Sequence, residues 1–199
     1  MNGAEAKRSG GESRRILWDR RFAAGVLIFV LLVFLPLGAR LSLRRAVRHV
    51  EDGFFTGVEG RGAVADYLED AENAALGLIT VGANYEAAGD ATGELRVDRG
   101  LLLDALKDGD ISEIANANAL VVKSFNVLRE ALQALPLSEE DAMDLDYYAT
   151  QFDGAQGAIP HSGYDQAVRE FDDGVYSRFP ASLIGSALGV EPPRYFNEV

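Results

Sequence analysis

One stretch near the N-terminus limits what this chain can fold into. Phe22 to Ala39 is an uninterrupted run of 18 uncharged residues, rich in Leu, Val, Phe and Ile. A helix of that length extends about 27 Å, close to the bilayer hydrocarbon thickness of about 30 Å. The run is apolar on every side, unlike the one-sided stripe of a soluble amphipathic helix. We therefore predict a transmembrane helix over Phe22 to Ala39, with the lipid bilayer as its partner.

A cleaved signal peptide is the competing interpretation of the same run. The arginines between positions 14 and 21 would form its charged leader, and Leu37-Gly38-Ala39 would serve as a weak cleavage site. The run, however, is longer than the usual apolar core of a leader, which has about 7 to 15 residues. Cleaved leaders are also seldom followed by so basic a stretch, here Arg40, Arg44, Arg45 and Arg48. Both features favour a retained anchor.

The net charge of −12 is unevenly distributed along the chain. The first 48 residues hold ten basic and three acidic side chains, whereas the remaining 151 hold nine basic and 28 acidic ones. A basic head of net charge +7 therefore precedes an acidic body of −19. Such a body lacks the basic footprint that binds phosphates, so nucleic acid is not an expected partner. Six Lys/Arg precede the span and four follow it closely, which favours a single-pass protein of the cell membrane with a cytoplasmic N-terminus and an extracytoplasmic body.

Residues that carry metal or nucleophilic chemistry are scarce. The chain has no cysteine, which excludes disulfides, thiolate nucleophiles and Cys-type zinc sites. Its two histidines, His49 and His161, each lack the glutamate three residues earlier that di-iron bundle sites require. We interpret both as surface or turn residues.

The carboxylates have simpler interpretations than catalysis. The run Glu139 to Asp146 lacks the ligand spacing of a calcium loop and is typical of a solvated helix start, where acids favour the macrodipole. A polar helix face accounts for Asp165, Glu170 and Asp172. We predict no catalytic, cofactor-binding or metal-ligating residue, and no enzyme.

The acidic body has the apolar periodicity of helices. A first helix is predicted from Val64 to Tyr85, where apolar residues recur seven apart at Val64, Ala71, Leu78 and Tyr85. Gly89 and Gly93 mark a loop, and a short helix from Val97 to Lys107 follows it. The segment from Arg40 to Phe55 is expected to continue the membrane helix straight into the first bundle helix.

Capping patterns place the later helices. Asp110 with Glu113 begins one that Pro136 closes, and Ser138 with Asp141 begins the next, which ends at Pro160. The first of these has a core seam at Ile114, Val121, Leu128 and Leu135, with Phe125 and Leu132 between. Asn118 falls on that seam, as a satisfied buried amide or as part of a polar interior site.

The last predicted helix is long. Its stripe consists of Tyr164, Ala167, Val168, Phe171, Val175 and Phe179, and a short helical turn follows over Leu183, Ile184 and Leu188. The tail residues Tyr195 and Phe196 follow two prolines, so they either dock back on the bundle or contact a partner. Docking is the expectation.

These elements predict an all-α protein, with an N-terminal transmembrane helix followed by an antiparallel up-and-down helical bundle with coiled-coil-like seams. The predicted organisation is a basic N-terminal tail (1–21), the transmembrane helix (22–39), a juxtamembrane helix or linker (40–62) and the bundle domain (63–199).

The C-terminal third resembles a known family. The residues that carry the resemblance are Tyr164, Asp165, Val168, Arg169, Glu170, Phe171, Asp172 and Val175, then Phe179-Pro180, Leu183-Ile184, Gly189 and Tyr195-Phe196. This pattern is similar to that of the LemA family of bacterial membrane-anchored proteins, and the stretch from Ala115 to Leu132 is similar to its central helix. Asp165 and Asp172 stand where the family has asparagines, Phe171 replaces a tyrosine, and the family's Ile-Pro-Asn-Leu stretch is not recognisable.

The resemblance implies an antiparallel bundle on a single-span anchor, without established catalytic activity. The expected function is a membrane-anchored scaffold or adaptor of the bacterial envelope, which presents its acidic bundle to another membrane or envelope protein. One alternative is a membrane-shaping or oligomerising structural protein, in which bundles self-associate and Arg40 to Arg48 contact anionic lipid. A carboxylate- or metal-dependent hydrolase is the other alternative.

Overall fold

The structure, a computed structural model, describes residues 9–178, 185, 187 and 189–197. Within these ranges it contains helices and no strand, which confirms the all-α prediction. Its principal helices are α1 (Ser9–Thr56), α2 (Val64–Gly82), α3 (Gly89–Asp108), α4 (Ile111–Gln133), α5 (Glu139–Ala158) and α6 (Tyr164–Phe171). The described residues fall into two compact units, 9–45 with 185, 187 and 189–191, and 46–178 with 192–197.

α1 includes both the predicted span and the segment from Arg40 to Phe55. The prediction that it continues straight into the first bundle helix is wrong, because α1 ends at Thr56 and α2 begins only at Val64. Pro36, near the end of the predicted span, lies in the interior of this longer helix. The helix stops at Gly57, which has φ +82° and donates its N–H to the Gly53 carbonyl at 3.0 Å. Glycine reaches this left-handed conformation without the steric cost of a Cβ, so the chain can turn here before α2 begins.

Helices α2 to α5 form an antiparallel bundle, as predicted. The end of α2 lies against the start of α5, because the Asn84 amide donates to the Asp141 carboxylate at 3.2 Å. α4 and α5 also run in opposite directions, since Asn118 pairs with Gln156 while Phe125 stacks on Phe152 with ring centroids 3.8 Å apart. These contacts fix the register of α5 against its two neighbours.

The core follows the predicted seams. Asn118 is buried and exchanges two hydrogen bonds with Gln156, at 3.2 and 2.8 Å, so the first of its two predicted roles, a satisfied buried amide, is confirmed. Ion pairing between Glu72 and Arg99 joins α2 to α3 below the surface. The seam residues predicted above that are buried are Val64, Ala71, Leu78, Ile114, Val121, Phe125, Leu128, Leu132, Tyr164 and Val168. Tyr85 and Leu135 are half-buried.

The loop predicted at Gly89 and Gly93 is wrong, because both glycines lie in α3. A 3-10 turn at Glu86–Ala88 leads directly into the helix. Thr92, which is buried, donates its hydroxyl to the Ala88 carbonyl at 2.8 Å. Burial of Thr92 and Leu95 outweighs a glycine penalty of about 1 kcal/mol per residue.

The prediction of one long final helix is also wrong. α6 ends at Phe171 and a π-helical turn, Asp172–Tyr176, follows it. The extra residue per turn rotates later side chains away from the α-helical stripe, and Val175 is therefore exposed rather than buried. Phe179, Leu183, Ile184 and Leu188 lie outside the described residues.

Candidate functional site

The uncharged segment of α1 has its side chains on the surface. Among the described residues, α1 is the helix long and apolar enough to cross a membrane, by length and composition, and none of its most apolar 18-residue window is buried. Phe22, Phe29, Phe34 and Leu35 are each more than 60% exposed. An exposed apolar surface of this size is unfavourable in water and marks a site of interaction.

Acidic charge is concentrated on two adjoining helices of the bundle. α2 has four acidic residues and α5 has six, and neither helix contains Lys or Arg. α3 and α4 together have seven acidic and five basic residues, so their charges nearly balance. We call the exposed carboxylates of α2 and α5 the acidic side; they are Asp66, Glu69, Asp70, Glu139, Glu140, Asp146 and Asp153.

The C-terminal tail, residues 192–197, is bound to one end of the bundle. The Arg194 guanidinium donates to both carboxylate oxygens of Asp110, at 2.7 and 2.9 Å. Asp110 is also the N-cap of α4, because its carboxylate accepts from the backbone N–H of Ser112 and Glu113. One carboxylate thus stabilises a helix start and holds the tail.

A second set of hydrogen bonds fixes the backbone of the tail to α6. The Tyr164 hydroxyl donates to the Arg194 carbonyl at 2.7 Å, and the Phe196 N–H donates to the Asp165 carboxylate at 2.8 Å. Phe196 is buried against Phe54, with ring centroids 5.4 Å apart. Docking of Phe196 on the bundle, as expected from sequence, is confirmed. Asp165 therefore binds the tail instead of serving only as a solvated residue.

Two of the polar residues that bind the tail, Tyr164 and Asp110, differ in their ionisation. Burial raises the pKa of Tyr164, and the nearby charges of Glu51 and Asp165 raise it further, so the phenol stays protonated and able to donate. Desolvation alone would raise the pKa of Asp110. Hydrogen bonds from the Glu113 and Ser112 amides, together with the Arg194 charge, outweigh that effect and lower it.

A related arrangement closes the opposite end of the bundle. The Asp141 carboxylate accepts hydrogen bonds from the Ser138 hydroxyl at 2.6 Å, the Tyr85 hydroxyl at 2.7 Å and the Asn84 amide. The Ser138 and Tyr85 hydrogen bonds hold the pKa of Asp141 below its ordinary value. The predicted Ser138 cap is confirmed, because its hydroxyl accepts from the Asp141 N–H at 3.1 Å.

The other residues weighed for chemistry are not brought together. His49 and His161 are both exposed. Glu170 accepts a hydrogen bond from Gln166, and Asp172 accepts one from Ser177. In the part of the chain that the structure describes, no three His, Asp or Glu side chains are grouped as a metal site.

Sequence reasoning missed two contributors to the tail contact. Arg194 pairs with a residue 84 positions earlier, and no local pattern predicts that separation. Phe54, fully buried, could be inferred only from its spacing with Leu43, Val47 and Val50 on α1. Comparison with protein-family models, with curated proteins and with solved structures finds no match to this chain.

Proposed function

We propose that this chain is a membrane-anchored helical-bundle scaffold or adaptor of the bacterial envelope, and a divergent member of the LemA family. The observation that carries the proposal is that the chain combines an exposed uncharged segment in α1 with a bundle whose net negative charge is concentrated on α2 and α5. The first feature suits a bilayer and the second suits a cationic partner.

The acidic side acts mainly through encounter and specificity. Complementary charge accelerates association and disfavours partners of like charge, while exposed ion pairs add little affinity each. A basic patch on another membrane or envelope protein is the surface that the acidic side would bind. With the N-terminus in the cytoplasm, the bundle meets that partner on the extracytoplasmic side. The proposed role requires no catalytic residue.

Crosslinking in native membranes tests the adaptor role. We expect a photoreactive crosslinker, which does not react through carboxylates, to capture a discrete partner. The yield of that crosslinked product should fall several-fold in the variant D66N/E69Q/D70N on α2 or E139Q/E140Q/D146N on α5. The matched control is D90N/E94Q/D108N, which removes three exposed charges from α3. Equal capture of the partner by the wild type and all three variants at low salt would contradict a charge-guided adaptor.

A second candidate function, an oligomerising structural protein, is favoured by one observation. Val97 and Leu101, one helical turn apart on α3, are 64% and 49% exposed. A pair of apolar side chains on a helix surface suits lateral contact between bundles. Light scattering of the detergent-solubilised protein distinguishes the two functions: an oligomer that V97E/L101E dissociates favours this role, and a monomer at all concentrations contradicts it.

A further inference from the structure

A group of arginines follows the uncharged segment of α1. Arg44, Arg45 and Arg48 are exposed, whereas Leu43 and Val47 on the same helix are buried. The cations therefore occupy the part of the helix surface that is open to a ligand. Three exposed guanidinium groups within five residues of one helix favour an anionic ligand.

The position of these arginines along α1 matches the headgroup layer of a bilayer. At about 1.5 Å per residue, Arg44 and Arg45 lie about 8 to 9 Å beyond Ala39, and Arg48 lies about 14 Å beyond it. The polar layer of a bilayer is about 5 to 8 Å thick on each side. Arg44 and Arg45 can reach this layer with their long side chains, and Arg48 lies within about one Debye length of its outer surface.

The acidic residues begin beyond this layer, because Glu51 lies about 18 Å past Ala39 at the same rise per residue. No Asp or Glu occurs between Asp19 and Glu51, so this interval holds no acidic side chain and several arginines. The bundle that follows is strongly acidic and would be repelled by an anionic membrane surface. Cations placed between the apolar segment and the bundle offset that repulsion.

Resting on the proposed membrane anchor, we propose that Arg44, Arg45 and Arg48 bind the phosphate groups of anionic phospholipids, in the leaflet that the Ala39 end of the span reaches. Attraction between the positive charges and the phosphates provides the affinity. Each such charge near an anionic surface contributes a preference of about fivefold. Because Arg48 lies farthest out, we expect the three together to favour anionic over zwitterionic lipid by about tenfold to about a hundredfold.

Native mass spectrometry of the full chain in detergent tests this contact. Phosphatidylglycerol and phosphatidylcholine are titrated separately, and the apparent Kd of the first bound lipid is measured for each. The wild type should bind phosphatidylglycerol more tightly than phosphatidylcholine. In R44Q/R45Q/R48Q the ratio of the two Kd values should fall at least about tenfold. R44K/R45K/R48K should keep most of the wild-type preference, because lysine preserves the charge.

The control is R96Q/K107Q/K123Q, which removes three exposed cations from the bundle. It should behave like the wild type, and circular dichroism should show equal helix content in all variants. Unchanged retention in R44Q/R45Q/R48Q, an equal loss in the control, or an equal loss in the lysine variant would each overturn the headgroup contact. Extraction of the wild-type chain from membranes by alkaline carbonate would instead contradict the anchor.

Discussion

At both ends of the bundle a carboxylate near a helix start binds a distant segment, but the hydrogen-bond donors differ. At one end, which we call the tail end, the Asp110 carboxylate caps α4 and binds the Arg194 guanidinium. At the other, the turn end, the Asp141 carboxylate binds the neutral donors Tyr85 and Asn84. In both cases a carboxylate at a helix start holds a distant segment. The tail end depends partly on an ion pair, whereas the turn end depends on neutral hydrogen bonds.

The ends also differ in what lies beneath the carboxylate. At the tail end Phe54, Tyr164 and Phe196 form an aromatic cluster, with ring centroids 5.3 to 5.4 Å from that of Phe54. At the turn end Tyr85 is half-buried, and its hydroxyl also accepts from the Ser138 N–H at 3.0 Å. We therefore expect the tail contact to depend mainly on apolar burial and the Tyr85 contact mainly on hydrogen bonds.

The largest expected effect tests the apolar part of the tail end. Phe54→Ala should lower the free energy of unfolding by about 3 to 5 kcal/mol, because it leaves a cavity against two buried aromatic rings. Phe55→Ala is the matched control, since Phe55 is 39% exposed, and should cost about 1 to 2 kcal/mol. Urea unfolding of the full chain in detergent, followed by circular dichroism, measures both. An equal loss of unfolding free energy in the two variants would contradict a core that extends to the tail.

Much of the bundle is readable from the sequence because its determinants are local. The seam from Ile114 to Leu132 and the caps at Asp110 and Ser138 depend on spacings of three to seven residues. The α3 start was not readable, because two glycines normally break a helix and only the burial of Thr92 and Leu95 compensates. The π-helical turn at Asp172–Tyr176 has no sequence signature that distinguishes it from a continued α-helix.

The features of the candidate site also fall into two groups, those that the sequence reveals and those that only the fold brings together. The uncharged run of α1 and the acidity of the body are compositional, so counting residues suffices to find them. The concentration of acidic charge on adjoining helices required the pairing of α2 with α5, which charge counts along the chain do not provide. Arg194 and Asp110 meet only because the tail returns to the α4 start.

A pair of tyrosine variants compares the polar contacts of the two ends. Tyr85→Phe should lower stability by about 1 to 2 kcal/mol, because it removes one bond to a carboxylate and one from a backbone amide. Tyr164→Phe removes only the bond to the Arg194 carbonyl and should cost about 1 kcal/mol. The same urea unfolding measures both variants. A larger cost for Tyr164→Phe would show that the tail end also depends chiefly on hydrogen bonding.

Salt separates the charged contact from the neutral one. Arg194→Gln should cost at most about 1 kcal/mol at low ionic strength, because the side chains of Arg194 and Asp110 are 43% and 39% exposed. In about 1 M salt the cost should shrink, since the Debye length falls to about 3 Å. Hydrogen exchange of the Phe196 amide reports release of the tail directly. Tyr85→Phe serves as the control, because its cost should change little with salt.

The smallest effect concerns the ionisation of Asp110. Its pKa is lowered in the folded chain, so its stabilising contribution is present above the unfolded value of about 3.9 and is lost as the pH falls through the folded value. Arg194→Gln should raise the pKa of Asp110 only part of the way back, because the Glu113 and Ser112 amides still bind the carboxylate. Carbon-detected NMR titration of the carboxyl group measures the shift. Asp141, whose pKa is set by Ser138 and Tyr85, should titrate identically in both proteins; if it moved with Asp110, the two ends would be coupled rather than independent.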